Sequence, residues 1–449
     1  MAVEWRKCTI EDLKADQNNA LATGPFGSAI SSRFFQDHGV PVIRGSNLSQ
    51  NVGTRLIDEG LAFVSEEKCK EFRRSIARRG DLVFTCWGTI DQIGLIDDRS
   101  TYEEYVISNK QMKLTPHPEK VDGLFLYYVL SSPGMQSQIL NQGIGSSVPG
   151  FNLGQLRSLQ VTIPPLREQQ AIACILGAFD DKIELNRRRN RTLEGMARAI
   201  FQSWFVDFDP VRKKCEVRRV KGEKGRSLPP SILDLFPSHF ELHPSFGPIP
   251  AGWRAGRLGE IANEVRDSVS PAEIASNTPY IALEHIPIRC LALESWGMAD
   301  GVASGKLRFR RGDILFGKLR PYFHKVGPAP VDGVCSTDIV VAQPSHDLWY
   351  GVVLGHMSSD TFVAHTDRGS TGTKMPRTKW RDMGAYEIAM PDSELAAQYT
   401  RLVEPMMAKI QSNIMESRTL AALRDALLPK LTSGELRVPD AERIVGRAV

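Results

Sequence analysis

The sequence predicts an α+β protein in which two mixed α/β domains are joined by two long antiparallel coiled-coil helices, forming a pseudo-two-fold internal repeat. Three observations carry this. The 449-residue chain repeats its own motifs in the same order. Two stretches hold an apolar 4-3 spacing well beyond the length of an ordinary helix. Each stretch follows the same strand-and-proline motif of its copy.

The elements come in order. Trp5-Arg6, Ile10 and Leu13 recur at identical offsets as Trp253-Arg254, Leu258 and Ile261, each set a short opening strand and turn. PVIRGSNL from Pro41 and PYIALEHI from Pro279 begin with proline and alternate, as an edge strand running into a loop would. RRGDLVFT from Arg78 matches RRGDILFG from Arg310, where Arg-Gly-Asp supplies a tight turn and the apolar run a buried strand. The glycine-hydroxyl loop GIGSSVPGFN, Gly143 to Asn152, has a counterpart in RGSTGTKMP, Arg368 to Pro376. VTIPPLREQQ from Val161 corresponds to EIAMPDSELA from Glu387, and a shift of 227 residues lays Arg191-Thr192-Leu193 on Arg418-Thr419-Leu420.

That shift registers the two helices. Ile172, Leu176, Phe179, Ile183, Asn186, Asn190, Leu193, Ala197, Ile200 and Trp204 fall on Tyr399, Val403, Met406, Ile410, Asn413, Ser417, Leu420, Arg424, Leu427 and Leu431. Prolines 164–165 and 391 suit a helix start, and Glu168 and Glu394 suit its dipole. At about 1.5 Å per residue each helix is on the order of 50 Å long, and its stripe needs a partner. If the two run antiparallel, Asn186 faces Ser417 and Asn190 faces Asn413. Buried amides at such positions fix register, because slippage leaves them unpaired. The resulting division is 1–163 first domain, 164–206 central helix, 207–246 a basic, proline-rich linker, 247–391 second domain, 392–432 C-terminal helix and 433–449 tail.

Composition narrows the class of function. No apolar run approaches the ~20 residues that cross a bilayer, and MAVEWRKCTIEDL lacks a secretory pattern, so the expected setting is cytoplasmic. Seven cysteines without a C-x-x-C pair suit reduced thiols. His239 and His243 lack the context of a metal site and read as part of a solvated linker. The run Arg212 to Arg226 carries net +6, leaving −2 for the rest of a chain that totals +4. Any polyanion surface on the folded parts therefore comes from arrangement rather than bulk charge. RGSTGTKMP is not a nucleotide P-loop, since two residues rather than four separate Gly369 and Gly372 and Met375 replaces the hydroxyl residue. An adenine methyltransferase would need a motif such as [ND]-P-P-[YF], whereas the chain has only IPPL and LPPS, and no glycine fingerprint for a methyl donor. Two rival readings are a fused DNA-modifying enzyme and a coiled-coil scaffold.

The stretch Ile163 to Arg212, with GPIPAGW from Gly247 to Trp253, resembles the specificity subunits of type I restriction-modification systems. The resemblance implies two target-recognition domains reading the halves of a split double-stranded DNA sequence. It also implies two docked adenine methyltransferase subunits, with motor-nuclease subunits joining them. S-adenosylmethionine, ATP and magnesium then belong to the partners, and this chain carries no cofactor, no metal, no catalytic residue and no nucleotide or membrane site. The chain departs from the family at Ala396-Ala397, where the second copy lacks the Glu-Gln-Gln of the first.

Candidate DNA contacts follow from side-chain chemistry. Ser146 and Ser147 in the first loop, and Ser370, Thr371, Thr373 and Lys374 in the second, suit phosphates. Arg44, Ser46 and Asn47, with Glu284 and His285 at the aligned place, suit base edges. Lys318 and Arg320 after the second RGD strand, and Trp87 after the first, complete the set.

Overall fold

A computed structural model describes residues 5–27, 29–144, 149–217, 228–370, 372 and 375–445. The chain divides into two compact units, residues 1–183 with 419–449, and residues 184–418. The repeat is explicit in their topology. In the first unit a four-stranded antiparallel sheet runs Leu21–Thr23, Gln111–Leu114, Leu82–Thr85, Ile93–Leu95. The second unit has the same order in Ala262–Val265, Ile339–Pro344, Ile314–Gly317, Val326–Pro328. A further sheet in each unit contains one parallel pair, Val40–Ile43 with Glu104–Ile107 and Pro279–Ile281 with Gly333–Cys335. The opening strands Arg6–Thr9 and Arg254–Arg257 pair with Gln160–Ile163 and Glu387–Met390.

The two RGD turns are built alike. Gly80 and Gly312 both take φ +92, a left-handed conformation that favours glycine. The backbone N–H groups of Arg78 and Arg310 donate to the carboxylates of Asp81 and Asp313 at 2.9 and 2.7 Å. The expectation of edge strands at Pro41 and Pro279 is corrected, because both strands lie inside their sheets. Each proline precedes the parallel ladder, which starts at Val42 and Tyr280, so its missing N–H is not needed there.

The helices span Leu166–Phe201 and Ser393–Ser433, the first continuing through a π-helical turn, Gln202–Val206. Of the seam positions, all are buried except Leu193, Ile200, Met406 and Ser417, which are half-buried. Ala173, Ile175, Met407 and Ile414, which lie off the seam, are buried as well. The buried stripe is wider than a two-helix seam because each helix also packs against a sheet domain, as the mixed clusters of helix and domain residues show.

Parts of 207–246 pack against the second unit rather than forming the solvated linker that the charge suggests. Around the undescribed 218–227, Val211, Ile232 and Phe236 are buried, and Phe236 meets Trp204 edge-on with ring centroids 5.1 Å apart. Strand Phe240–His243 pairs with Gly247–Pro250. His239 and His243 are exposed or half-buried on this hairpin, and the His243 ring accepts the Ser245 N–H.

His356 in the second unit gives a measurable consequence. It is buried edge-on to Phe201, with ring centroids 4.9 Å apart, and its Nε2 has no partner among the described residues. Burial lowers its pKa from 6.5 to about 3. Between those values the unfolded chain binds a proton that the folded chain refuses, so stability is full above pH 6.5 and falls as pH drops through the window. His356→Leu is expected to remove up to one proton, about 1.4 kcal/mol per pH unit, from that acid slope. Melting temperature measured from pH 7 to 4 checks this, and an unchanged slope rejects it.

Candidate nucleic-acid interface

The segments that follow the two RGD strands frame the same construction in both units. In the first, the Gly88 N–H donates to the Pro149 carbonyl at 3.1 Å, and the Phe151 N–H donates to the Cys86 carbonyl at 2.8 Å. In the second, the Arg320 N–H donates to the Pro376 carbonyl at 2.8 Å, and the Thr378 N–H to the Lys318 carbonyl at 3.1 Å. The loop residues in these pairs differ by the 227-residue shift, so each glycine-hydroxyl loop is pinned in one way to the strand end beside it. Both loops leave a helix, Pro133–Gln142 or Asp360–Arg368, and lead to a short helix, Leu153–Ser158 or Trp380–Gly384, before the strand. Ser146, Ser147, Thr371, Thr373 and Lys374 lie outside the described residues. Ser370 is described, and its hydroxyl donates to the Asp367 carbonyl at 2.7 Å, closing the helix end.

Around the first loop, the structure gathers Arg44, Ser46 and Trp87 with Gln92, Asn109 and Lys110 on an open depression of about 600 Å³. Trp87 is 54% exposed and lies flat against Gly150, where an added Cβ would sit 2.6 Å from its ring. Ser46 is exposed at the tip of the turn Gly45–Asn47. Arg44 is half-buried, and its Nη2 donates to the Gly60 carbonyl at 2.9 Å.

Asn47 is corrected as a base reader. It is 1% exposed, its Oδ1 accepts the Arg44 N–H at 3.1 Å, and its Nδ2 donates to the Ile57 carbonyl at 3.0 Å. An amide used on both ends inside its own turn has no edge left for a base. His285 serves the same turn in the second copy, its Nδ1 accepting the Ala282 N–H at 2.9 Å. Glu284 beside it is exposed.

Lys318 and Arg320 are half-buried next to the second loop. Arg320 takes φ +52, while the aligned Gly88 takes φ +95, so the frame demands a left-handed residue that only the first half supplies as glycine. A strained non-glycine residue at a candidate site points to use of its side chain. Arg320→Gly is expected to leave stability unchanged or raise it by up to about 1 kcal/mol, while lowering the salt slope of DNA binding by about one. Thermal melts and titrations at several salt concentrations check the two halves of this statement.

The helix-pair residues stand opposite one another in antiparallel order. Asn413 Nδ2 donates to Asn190 Oδ1 at 2.9 Å, and Asn186 Nδ2 donates to Glu416 Oε2 at 2.8 Å and to Ser417 Oγ at 3.3 Å. Sequence reasoning named Ser417 but not Glu416, which lies one position off the seam.

Gln169, from the motif missing in the second copy, is buried. Its Oε1 accepts the Asp122 N–H at 2.9 Å, and its Nε2 donates to the Pro164 carbonyl at 2.8 Å. In the second unit Thr400 makes a comparable latch, accepting the Gly351 N–H at 3.0 Å and donating to the Leu348 carbonyl at 2.7 Å. Ala396 is wholly buried. The difference between the copies at this place is thus one of internal latching.

Residues 27–195 match the family described as the type I restriction modification DNA specificity domain. The chain is similar to the specificity subunit of the type I restriction enzyme MjaIX of Methanocaldococcus jannaschii, 24% identical over 397 residues that cover 86% of this chain and 84% of that one. It is also similar to the HindI specificity subunit of Haemophilus influenzae, 25% identical over 382 residues covering 74% of this chain and 82% of that one. In fold it resembles the crystal structure of the type I restriction-modification S subunit from M. genitalium, with a TM-score of 0.55 over 96% of each chain at 15% identity.

Proposed function

We propose that the chain acts as do the specificity subunits of type I restriction-modification systems that it resembles, as the non-catalytic reader of a bipartite double-stranded DNA target. It docks two adenine methyltransferase subunits and, through them, motor-nuclease subunits. The observation that carries this reading is that one loop-and-strand frame is built twice, with the same backbone hydrogen bonds, and fitted with different side chains. Two copies of one frame suit two DNA segments approached with one geometry, and different linings suit two different half-sequences. S-adenosylmethionine, ATP and magnesium serve the partners in this reading, since methyl transfer and translocation take place on them.

The test is co-expression with a methyltransferase subunit in a host whose methylated adenines are mapped. A two-part motif that appears only when both chains are present is the expected result. The purified single chain, incubated with labelled methyl donor and DNA, is expected to transfer nothing. Methylation by this chain alone, or methylation without a split motif, rejects the reading.

A further inference from the structure

The first sheet ends on a pair of polar residues that the repeat does not copy. Thr85 and Gln111 are partners on the last rung of the antiparallel ladder between Leu82–Thr85 and Gln111–Leu114. Both are buried, Gln111 completely. Gln111 Oε1 accepts the Ser108 hydroxyl, but its Nε2 has no partner among the described residues, and neither have Thr85 Oγ1 and Arg44 Nε. All three residues line the depression beside Trp87. Buried polar atoms without partners lower stability, so they are rare in native proteins, and three around one opening form a set awaiting a ligand.

The second unit supplies the control. The same rung there pairs Gly317 with Ile339. Ile339 is wholly buried in an apolar cluster with Ile281, Leu315 and Val341, with Leu283 packed against it. A Cβ on Gly317 would lie 2.9 Å from Leu283 Cδ2, so the place is filled. Ala282 and Leu319 stand where the first unit has Arg44 and Trp87. The rung is therefore polar and unpartnered beside the depression in the first half, and apolar and filled in the second. A residue pair kept for folding alone would have no reason to differ in this way.

We propose that Thr85 and Gln111 are specificity-determining residues of the first half, hydrogen-bonding a base of the DNA target presented at the depression. This deepens the reading above and rests on it. Gln111 Nε2 and Arg44 Nε can only donate, and the Thr85 hydroxyl donates or accepts. The preferred base edge is therefore rich in acceptors, and guanine, with O6 and N7 together in the major groove, fits best. Lys110 and Arg44 supply positive charge at the rim for the neighbouring phosphates.

The experiment maps methylated adenines made by the assembled complex carrying Gln111→Met or Thr85→Val, both close in shape to the originals and both apolar. One position of the first half-motif, a guanine in the wild type, is expected to lose roughly tenfold or more of its discrimination, while the second half-motif and the salt slope of DNA binding stay unchanged. Melting temperature reports whether each variant folds, and if Gln111→Met does not, Thr85→Val alone decides. Folded variants with the wild-type motif, or with methylation reduced equally at every site, overturn the proposal. Absence of any split motif from the wild-type complex would instead reject the underlying function.

Discussion

Asp180→Ala is expected to lower the stability of the first unit by about 3–5 kcal/mol, because it leaves two buried guanidinium groups without their shared counter-ion. Asp180 lies on the first long helix and is 1% exposed. Its Oδ1 accepts from Arg424 Nη1 of the second helix at 2.7 Å, and its Oδ2 accepts the Tyr128 hydroxyl. Arg55 Nη2 stands 3.6 Å away and joins Asp97 on its other side. Burial alone would lower the Arg424 pKa, but Asp180 and Asp425 outweigh it and raise it. Burial and the Asp180 charge push the Tyr128 hydroxyl well above its usual range, so it stays a donor.

The network therefore joins both helices to a loop and to the helix Gly123–Leu130, all within the first unit. Replacing Asp180 and Arg424 together by Leu and Met is expected to cost less than Asp180→Ala, since that change removes one of the two guanidinium groups along with the carboxylate and leaves only Arg55, which keeps Asp97. Denaturant melts of the three proteins measure this. Hydrogen exchange is expected to rise first in 166–183 and 419–433, and equal losses in the single and double variants would show that the charges are not coupled.

The repeat and the helix pair were legible because they rest on local patterns. A shift of 227 residues and a 4-3 spacing place Asn190 against Asn413 without any knowledge of tertiary contacts. Arg424 broke the apolar pattern of that seam in the sequence, but its partner did not announce itself. Asp180 sits next to Phe179, off the seam, and becomes a partner only when two faces of the helix are buried at once.

Side-chain chemistry misled at Asn47, since an amide suits adenine and a turn cap equally well and only the fold says which way it faces. Charge misled at 207–246, where Phe208, Phe236 and Phe240 held the signal for packing. Thr85 was within reach, because RRGDLVFT and RRGDILFG differ only by aliphatic exchanges, Leu82 for Ile314 and Val83 for Leu315, until their last residue, Thr in one copy and Gly in the other. What the sequence could not supply was the ladder register that puts Gln111 beside it.

Tyr399→Ala is expected to cost the second unit about 3–5 kcal/mol, the range for removing a large aromatic side chain from a core. Tyr399 is 1% exposed on the second helix, and its ring lies 4.9 Å from Phe205, 5.7 Å from Trp204 and 6.2 Å from Phe201 on the first. Its hydroxyl donates to the Ala197 carbonyl at 3.3 Å. The π-helical turn Gln202–Val206 contains both Trp204 and Phe205, and burying both against Tyr399 offers a reason for the widened helix there.

Truncation opens a cavity that the rigid neighbours Phe201 and Phe205 cannot collapse into, because Phe201 is also pressed against Gly355, where a Cβ would meet its ring at 2.2 Å. Tyr399→Phe keeps the ring and loses one hydrogen bond, so it should cost only about 0.5–1.5 kcal/mol. The loss is expected to be confined to 184–418. Limited proteolysis should then cut the second unit while the first persists, and, under the proposed function, the methylated motif should degrade in its second half before its first. Simultaneous loss of both halves would show that the two units unfold as one.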